Sequence, residues 1–347
     1  MTKLNYKLIS TYRTQLMGLA ILWVVLYHST INASSVPVLG TLQAYGYGGV
    51  DIFLLVSGLG LYYAYRGNVS MATFYKRRLQ RILPTYLPVV LLFCLLYWGI
   101  GEMSFTEVLL NLTTLSFWLG LDSRFDWYVP ALLVLYFLTP LFMYFFRERN
   151  KVITVAVASL LGILLSVVLS GTSLSYLLIF TIRIPIFCVG VFVGYLIDQK
   201  RAISRLSLIM HLAVFVSGIL LLVVSQKYLQ DYVWSYGLWW YPFILITLPL
   251  CILAAGVLHW MAERKWTRYP FLSFSVSGTH SLEIYLLHER MLKMFTDLRR
   301  NLNLQVNDLV LNAICILITL GLALLLKKAV AGFSARVKSG TIPVTTS

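Results

Sequence analysis

The sequence predicts an all-α, polytopic membrane protein that threads a bilayer about ten times with both termini on the cytoplasmic side. Three observations predict it. First, 59% of the 347 residues are hydrophobic and only 12% are charged. A soluble domain carries about 25% charged residues, so this chain has too little polar surface to coat a water-soluble globule of its size. Second, ten apolar runs approach the roughly 20 residues that a spanning helix needs. Third, the basic residues are segregated. With the N-terminus inside, 21 lysines and arginines fall in inner segments and 6 in outer ones, the asymmetry of the positive-inside rule. The net charge of +15 therefore marks topology and contact with anionic lipid rather than nucleic-acid binding.

In chain order the predicted spans are 14–33, 49–65, 83–100, 127–146, 152–170, 176–197, 206–225, 238–260, 272–294 and 308–326. The segment 105–121 is apolar but short, and reads as an interfacial or re-entrant helix on the outer side. Residues 1–330 form one membrane domain, and 331–347 read as a polar, disordered cytoplasmic tail. No fixed-period repeat is present, so an inverted-repeat architecture gains no support. Cys94, Cys188, Cys251 and Cys315 each lie inside an apolar run, as small buried hydrophobes rather than disulfides or metal ligands. No metal is expected. The first apolar run is long enough to span and no A-x-A-like site follows it.

An ionisable side chain inside a span costs roughly 2.5–3.5 kcal/mol on insertion scales and is a functional candidate for that reason. Five stand out: His28, Asp51, Arg183, Glu283 and His288. At 1.5 Å per residue, His28, Arg183, Glu283 and His288 lie about 16 to 24 Å above the inner face, and Asp51 just inside the outer one. All five fall in the middle-to-outer layer, where they are expected to face inward around a polar cavity. The plainer readings stand beside this one. Asp51 caps the second span, Arg183 pairs with Glu283 or Asp51, and His288 bonds a backbone carbonyl. His211, His259 and His280 read as structural.

The second constellation is FYKRRLQRILP at 74–84. Arg78 and Arg81 stand at i, i+3 and share a helix face where the third span begins, with Arg77 in the same run. Paired guanidiniums at the cytoplasmic edge suit a phosphate clamp; anchoring to lipid head groups is the simpler alternative. Hydrolytic and nucleotide signatures fail. There is no GxSxG elbow, no Walker A and no GxGxxG, and Leu292 stands where HExxH requires its second histidine.

LMGLAILWVVLYH (16–28), GGVDIFLLVSGLGLYYAYR (48–66) and FYKRRLQRILPTYLP (74–88) together resemble the acyltransferase-3 family of bacterial membrane O-acyltransferases. WYVPALLVLYFLTPLF (127–142), RIPIFCVGVFVG (183–194) and SLEIYLLH (281–288) resemble it in the same order. The resemblance implies a cell-membrane protein that moves an acyl group, usually acetyl, from cytoplasmic acyl-CoA to a hydroxyl of a glycan or lipid-linked sugar. It implies His28 as the catalytic residue and Arg78 and Arg81 as the acyl-CoA contacts. The sequence departs from the family pattern at Met17, where an arginine is usual, with Arg13 one helical turn earlier. It departs also at Leu132 and Leu133, where many members carry glutamates.

Acyl transfer needs a base for the acceptor hydroxyl and a donor for the developing oxyanion. His28 suits the first role, Arg183 or the Trp127 indole the second. Asp51, Glu283 or His288 would orient the base or bind sugar hydroxyls, and Trp127 and Tyr128 would contact the acceptor. Two rivals remain open on sequence alone: a glycan or lipid transporter built on the same buried charges, and a non-catalytic partner in an envelope-assembly complex.

Overall fold

A computed structural model of the chain describes residues 4–67 and 69–338. Among these the chain is nearly all helical, and its one β feature is an isolated bridge between Asn5 and Ala202. The helices that build the fold are α1 (Arg13–His28), α2 (Gly49–Tyr65), α3 (Met71–Gly99), α4 (Tyr128–Glu148), α5 (Lys151–Leu169) and α6 (Ile184–Asp198). They continue with α7 (Arg205–Tyr228), α8 (Tyr241–Ala262), α9 (Arg268–Thr279), α10 (Ser281–Asn301) and α11 (Asp308–Lys338).

Among the described residues, eight stretches are long and apolar enough to cross a membrane: α3, α4, α5, α7, α8, α11, and α2 and α6 with the short turns that lead into them. Two of the ten expected spans take a different form. The run 14–33 is helical only to His28, where α1 ends after 16 residues. The run 272–294 is divided at His280 into α9 and α10. A third, 176–197, is also interrupted: a four-residue helix, Leu178–Thr181, stops short of α6, and Arg183 sits in the junction. Non-helical backbone at membrane depth is tolerated where it is buried in protein or lines a cavity, and the breaks at His28 and Arg183 both border one. At the other end of the chain, α11 continues to Lys338, into the segment expected to be a polar tail. Residues 339–347 lie outside the described residues.

The bundle is layered. In the α2 stretch 78% of the spanning window is buried and in the α6 stretch 72%, against 17% for α5 and 11% for α7. The first pair is the centre and the second pair faces lipid. Small residues set how closely the central helices approach. A Cβ on Gly58 would stand 2.2 Å from the Phe187 carbonyl oxygen, and one on Gly190 would stand 2.1 Å from that of Leu55. The backbones of α2 and α6 therefore touch. The same holds for α1 and α9, where a Cβ on Gly278 would lie 1.7 Å from the Thr14 oxygen and one on Gly18 1.9 Å from that of Phe274. These contacts fix the height of α1 against α9, and through α9 the start of α10.

The segment after α3 folds as two short helices, Phe105–Leu112 and Leu115–Trp118, on a capping box between Ser104 and Glu107. Asn111 is buried at its hub. Its side chain accepts the Phe125 N–H (2.6 Å) and the Ser116 hydroxyl (2.8 Å), and donates to the Ser123 carbonyl (3.1 Å). The loop leading to α4 is thereby pinned, and that loop carries the next set of functional groups.

Candidate active site

The interrupted helices bring their polar residues to one cavity of about 430 Å³. His28, at the last residue of α1, lines it with Arg183, Asp126, Trp127, Tyr285 and Glu289. Further aromatic wall comes from Tyr27, Tyr47, Trp239 and Trp240. Asp122 and Glu289 at its edge are exposed. Aromatic faces beside carboxylates and guanidiniums suit a ligand with both apolar C–H faces and hydroxyls.

The hydrogen bonds assign the histidine tautomers. His288 Nδ1 lies 2.8 Å from the Tyr285 carbonyl oxygen and 3.1 Å from that of Ile284. A carbonyl only accepts, so Nδ1 carries the proton and the neutral ring presents a lone pair at Nε2. That Nε2 stands 3.1 Å from His28 Nδ1, which is also 3.1 Å from the Val24 carbonyl oxygen. His28 Nδ1–H therefore donates to both. The lone pair of His28 is left at Nε2, which has no hydrogen-bond partner among the described residues. A histidine held at Nδ1 with Nε2 free has the geometry a general base needs.

Arg183 is held as rigidly. Its Nε–H donates to Asp51 Oδ1 at 2.9 Å and its Nη1 to the Ile179 carbonyl oxygen at 2.7 Å. The guanidinium lies between the Trp127 ring at 5.0 Å and the Trp240 ring at 5.4 Å. It is 1% exposed and Asp51 is 0% exposed. Asp51 stands in the first turn of α2, where the helix dipole favours an anion. Arg183 Nη2 takes no protein acceptor among the described residues, on a side chain that lines the cavity. Two tethered nitrogens and two flanking indoles leave the third nitrogen as a fixed donor.

Below this cavity lie two smaller ones, of about 70 and 30 Å³. They share walls in sequence. Tyr285 lines the upper and middle cavities, and Met17, Ser57, Arg81 and Tyr136 line both the middle and the lower. The lower cavity is ringed by Arg13, Arg78 and Arg81, with no carboxylate in its lining. Arg78 Nε is buried there and unpartnered. On α1 the column runs from Arg13 past Met17 to His28, about 22 Å of helix. Three guanidiniums around a cavity whose described lining holds no carboxylate, one with an orphaned buried N–H, have the chemistry to receive an anion.

A family model described as an acyltransferase domain matches residues 15–328. The chain belongs to that acyltransferase family. No curated protein and no solved structure matches it.

In this membrane acyltransferase the expected residues separate cleanly. His28, His288, Arg183, Asp51 and Trp127 form one cluster, and Asp51, rather than Glu283, is the carboxylate partner of Arg183. Glu283 is buried on α10, lines none of the cavities described and makes no hydrogen bond among the described residues. It points away because Tyr285 and Glu289, an i, i+4 pair, take the cavity-facing side of the helix. Tyr128 lines the middle cavity rather than the upper one. Arg78 and Arg81 share the lower cavity, whereas Arg77 is exposed outside it.

Sequence reasoning passed over Asp126 and Tyr285, and noted Arg13 without giving it a site. Asp126 accepts the backbone N–H of Tyr128 (2.9 Å) and of Val129 (2.7 Å), and so caps α4. It also accepts the Tyr285 hydroxyl at 2.7 Å. The acidic residue beside Trp127 at the start of a span was the available signal for it. Arg13 was legible only as a basic residue one turn below Met17, and the lower cavity gives it its company.

Proposed function

We propose that this acyltransferase moves an acyl group, most simply acetyl, from acyl-CoA entering at the cytoplasmic face to a hydroxyl of a glycan or lipid-linked sugar in the upper cavity. His28 is the general base. The reading takes both termini and the arginine cavity as cytoplasmic, and the membrane as the bacterial cell membrane. The observation that carries it is the His28 imidazole, held through Nδ1 by His288 and free at Nε2, at the top of a column of cavities that begins among three arginines.

The roles follow from the geometry. Arg13, Arg78 and Arg81 hold the donor's phosphates at the inner end. The acceptor hydroxyl lies against Trp127 and within reach of His28 Nε2, which takes its proton as the oxygen attacks the thioester carbonyl. A C–O bond forms, and Arg183 Nη2 receives the charge developing on the carbonyl oxygen. The C–S bond then breaks, and His28 Nε2–H returns its proton to the departing thiolate. Through the first half of this cycle His28 becomes an imidazolium, and His288 Nε2 with the Val24 carbonyl stabilises it by accepting its Nδ1–H. His288 is thus a positioning residue with the role a carboxylate plays in a Ser-His-Asp triad.

The dimensions favour this over solute transport. The lower cavities, at about 70 and 30 Å³, are far narrower than the upper one at about 430 Å³, which suits a thin chain better than a rigid sugar ring. The narrowing favours a slender acyl-pantetheine arm.

The test is donor binding. In the Arg78→Ala/Arg81→Ala variant the KM for acetyl-CoA rises by about 10²-fold, the loss expected for two charge-assisted contacts, while kcat falls far less. Steady-state release of CoA thiol measures both. An unchanged KM returns the arginines to lipid anchoring.

A further inference from the structure

Tyr285 occupies a position that the proposed reaction does not use and cannot ignore. Its side chain is the wall common to the upper and middle cavities. Its hydroxyl donates to Asp126 Oδ1 at 2.7 Å. Its ring packs on Tyr128 at 5.1 Å and on the His288 ring at 5.9 Å. Its own carbonyl fixes the His288 tautomer. A thioester arm rising from the arginine cavity meets this ring before it meets His28. The ring must move for the carbonyl to arrive.

The upper cavity is edged by exposed Asp122 and Glu289, so water reaches His28 from the outer side. A base that activates an acceptor hydroxyl will activate water as well. A thioester admitted before the acceptor is present would be hydrolysed: a C–O bond forms to water, the C–S bond breaks, and the proton passes by way of His28 to the thiolate. Selection of acceptor over water therefore requires that the arm be withheld until the upper cavity is filled.

We propose that Tyr285 is the specificity-determining partition of this enzyme, held shut by Asp126 and released when an acceptor hydroxyl takes its place on that carboxylate. Asp126 stands next to Trp127 on the acceptor wall, and its Oδ1 already serves both the Tyr285 hydroxyl and the Tyr128 N–H. A sugar hydroxyl donating to Oδ1 competes directly with Tyr285. The same carboxylate thus senses the acceptor and latches the donor passage. This inference rests on the acyl-CoA reading above.

The test is hydrolysis of acetyl-CoA by purified protein with no acceptor present, followed as free CoA thiol. Tyr285→Phe keeps the ring and removes the latch. Its hydrolysis rate rises about tenfold over the wild type, the factor expected for one hydrogen bond to a carboxylate, with the KM for acetyl-CoA unchanged. Tyr285→Leu, which also removes the ring, raises it at least as far. Adding His28→Ala to either variant returns the rate to background. A purely structural tyrosine would lower activity, not raise the acceptor-free rate. Rates in both variants equal to the wild type, with donor KM intact, overturn the partition. A raised rate that survives His28→Ala overturns both the partition and the assignment of His28, because the leak then occurs elsewhere.

Discussion

The His28→Ala variant loses acyl transfer by at least about 10³-fold in kcat, the range expected when a positioned general base is removed. Its KM for acetyl-CoA stays near that of the wild type, because the arginines that hold the donor lie about 22 Å away along α1. The imidazole stands at the last residue of α1 with its ring already satisfied at Nδ1 by His288 and Val24. Alanine there removes the base without opening a core position. Labelled acetyl transfer from acetyl-CoA to cell-surface glycan, in membranes carrying the variant at wild-type levels, measures the effect. Full activity would remove the imidazole from the chemistry.

Replacing Arg183 by methionine has an effect of comparable size and a different origin. The side chain is a cation tethered through two nitrogens in the wall of the upper cavity, and losing a preorganised oxyanion donor costs about 10²–10³-fold in kcat. It also leaves Asp51 buried without its partner, and breaking a buried ion pair from one side destabilises by about 3–5 kcal/mol. The two consequences can be separated. In Arg183→Met/Asp51→Leu the unpaired charge is gone, so the thermal midpoint recovers towards the wild type while kcat remains low. Recovery of both would reduce the pair to a structural role. Lysine is no substitute, since one ammonium cannot reach Asp51, the Ile179 carbonyl and the cavity as the planar fork does.

Much of this was legible in the sequence. The cost of a charge in lipid singles out His28, Asp51, Arg183, Glu283 and His288 without any structure, and helical rise alone puts them in the middle-to-outer layer; Glu283 is the one of the five that lines none of the cavities described and joins no hydrogen bond of the cluster. Pairing was not legible. Arg183 could answer to Asp51 or to Glu283, and only the close approach of α2 and α6 through Gly58 and Gly190 decides for Asp51. Hydropathy also reads runs such as 272–294 as continuous, since the residues around His280 are apolar or neutral on both sides of the break. A search for ionisable residues within spans passes over Asp126, which lies just outside one, and Tyr285, which is not charged at all. Both act through a hydrogen bond between segments 159 residues apart, which no local pattern encodes.

In the proposed reaction a thioester gripped among Arg13, Arg78 and Arg81 brings its acyl carbon to the acceptor hydroxyl beside His28. Chloroacetyl-CoA tests it directly, because the reactive carbon occupies the acyl position. His28 Nε2 displaces chloride and forms an N–C bond that mass spectrometry locates. The expected result is modification of His28, prevented by excess acetyl-CoA and by Arg78→Ala/Arg81→Ala. An unmodified His28 in protein labelled elsewhere would contradict it.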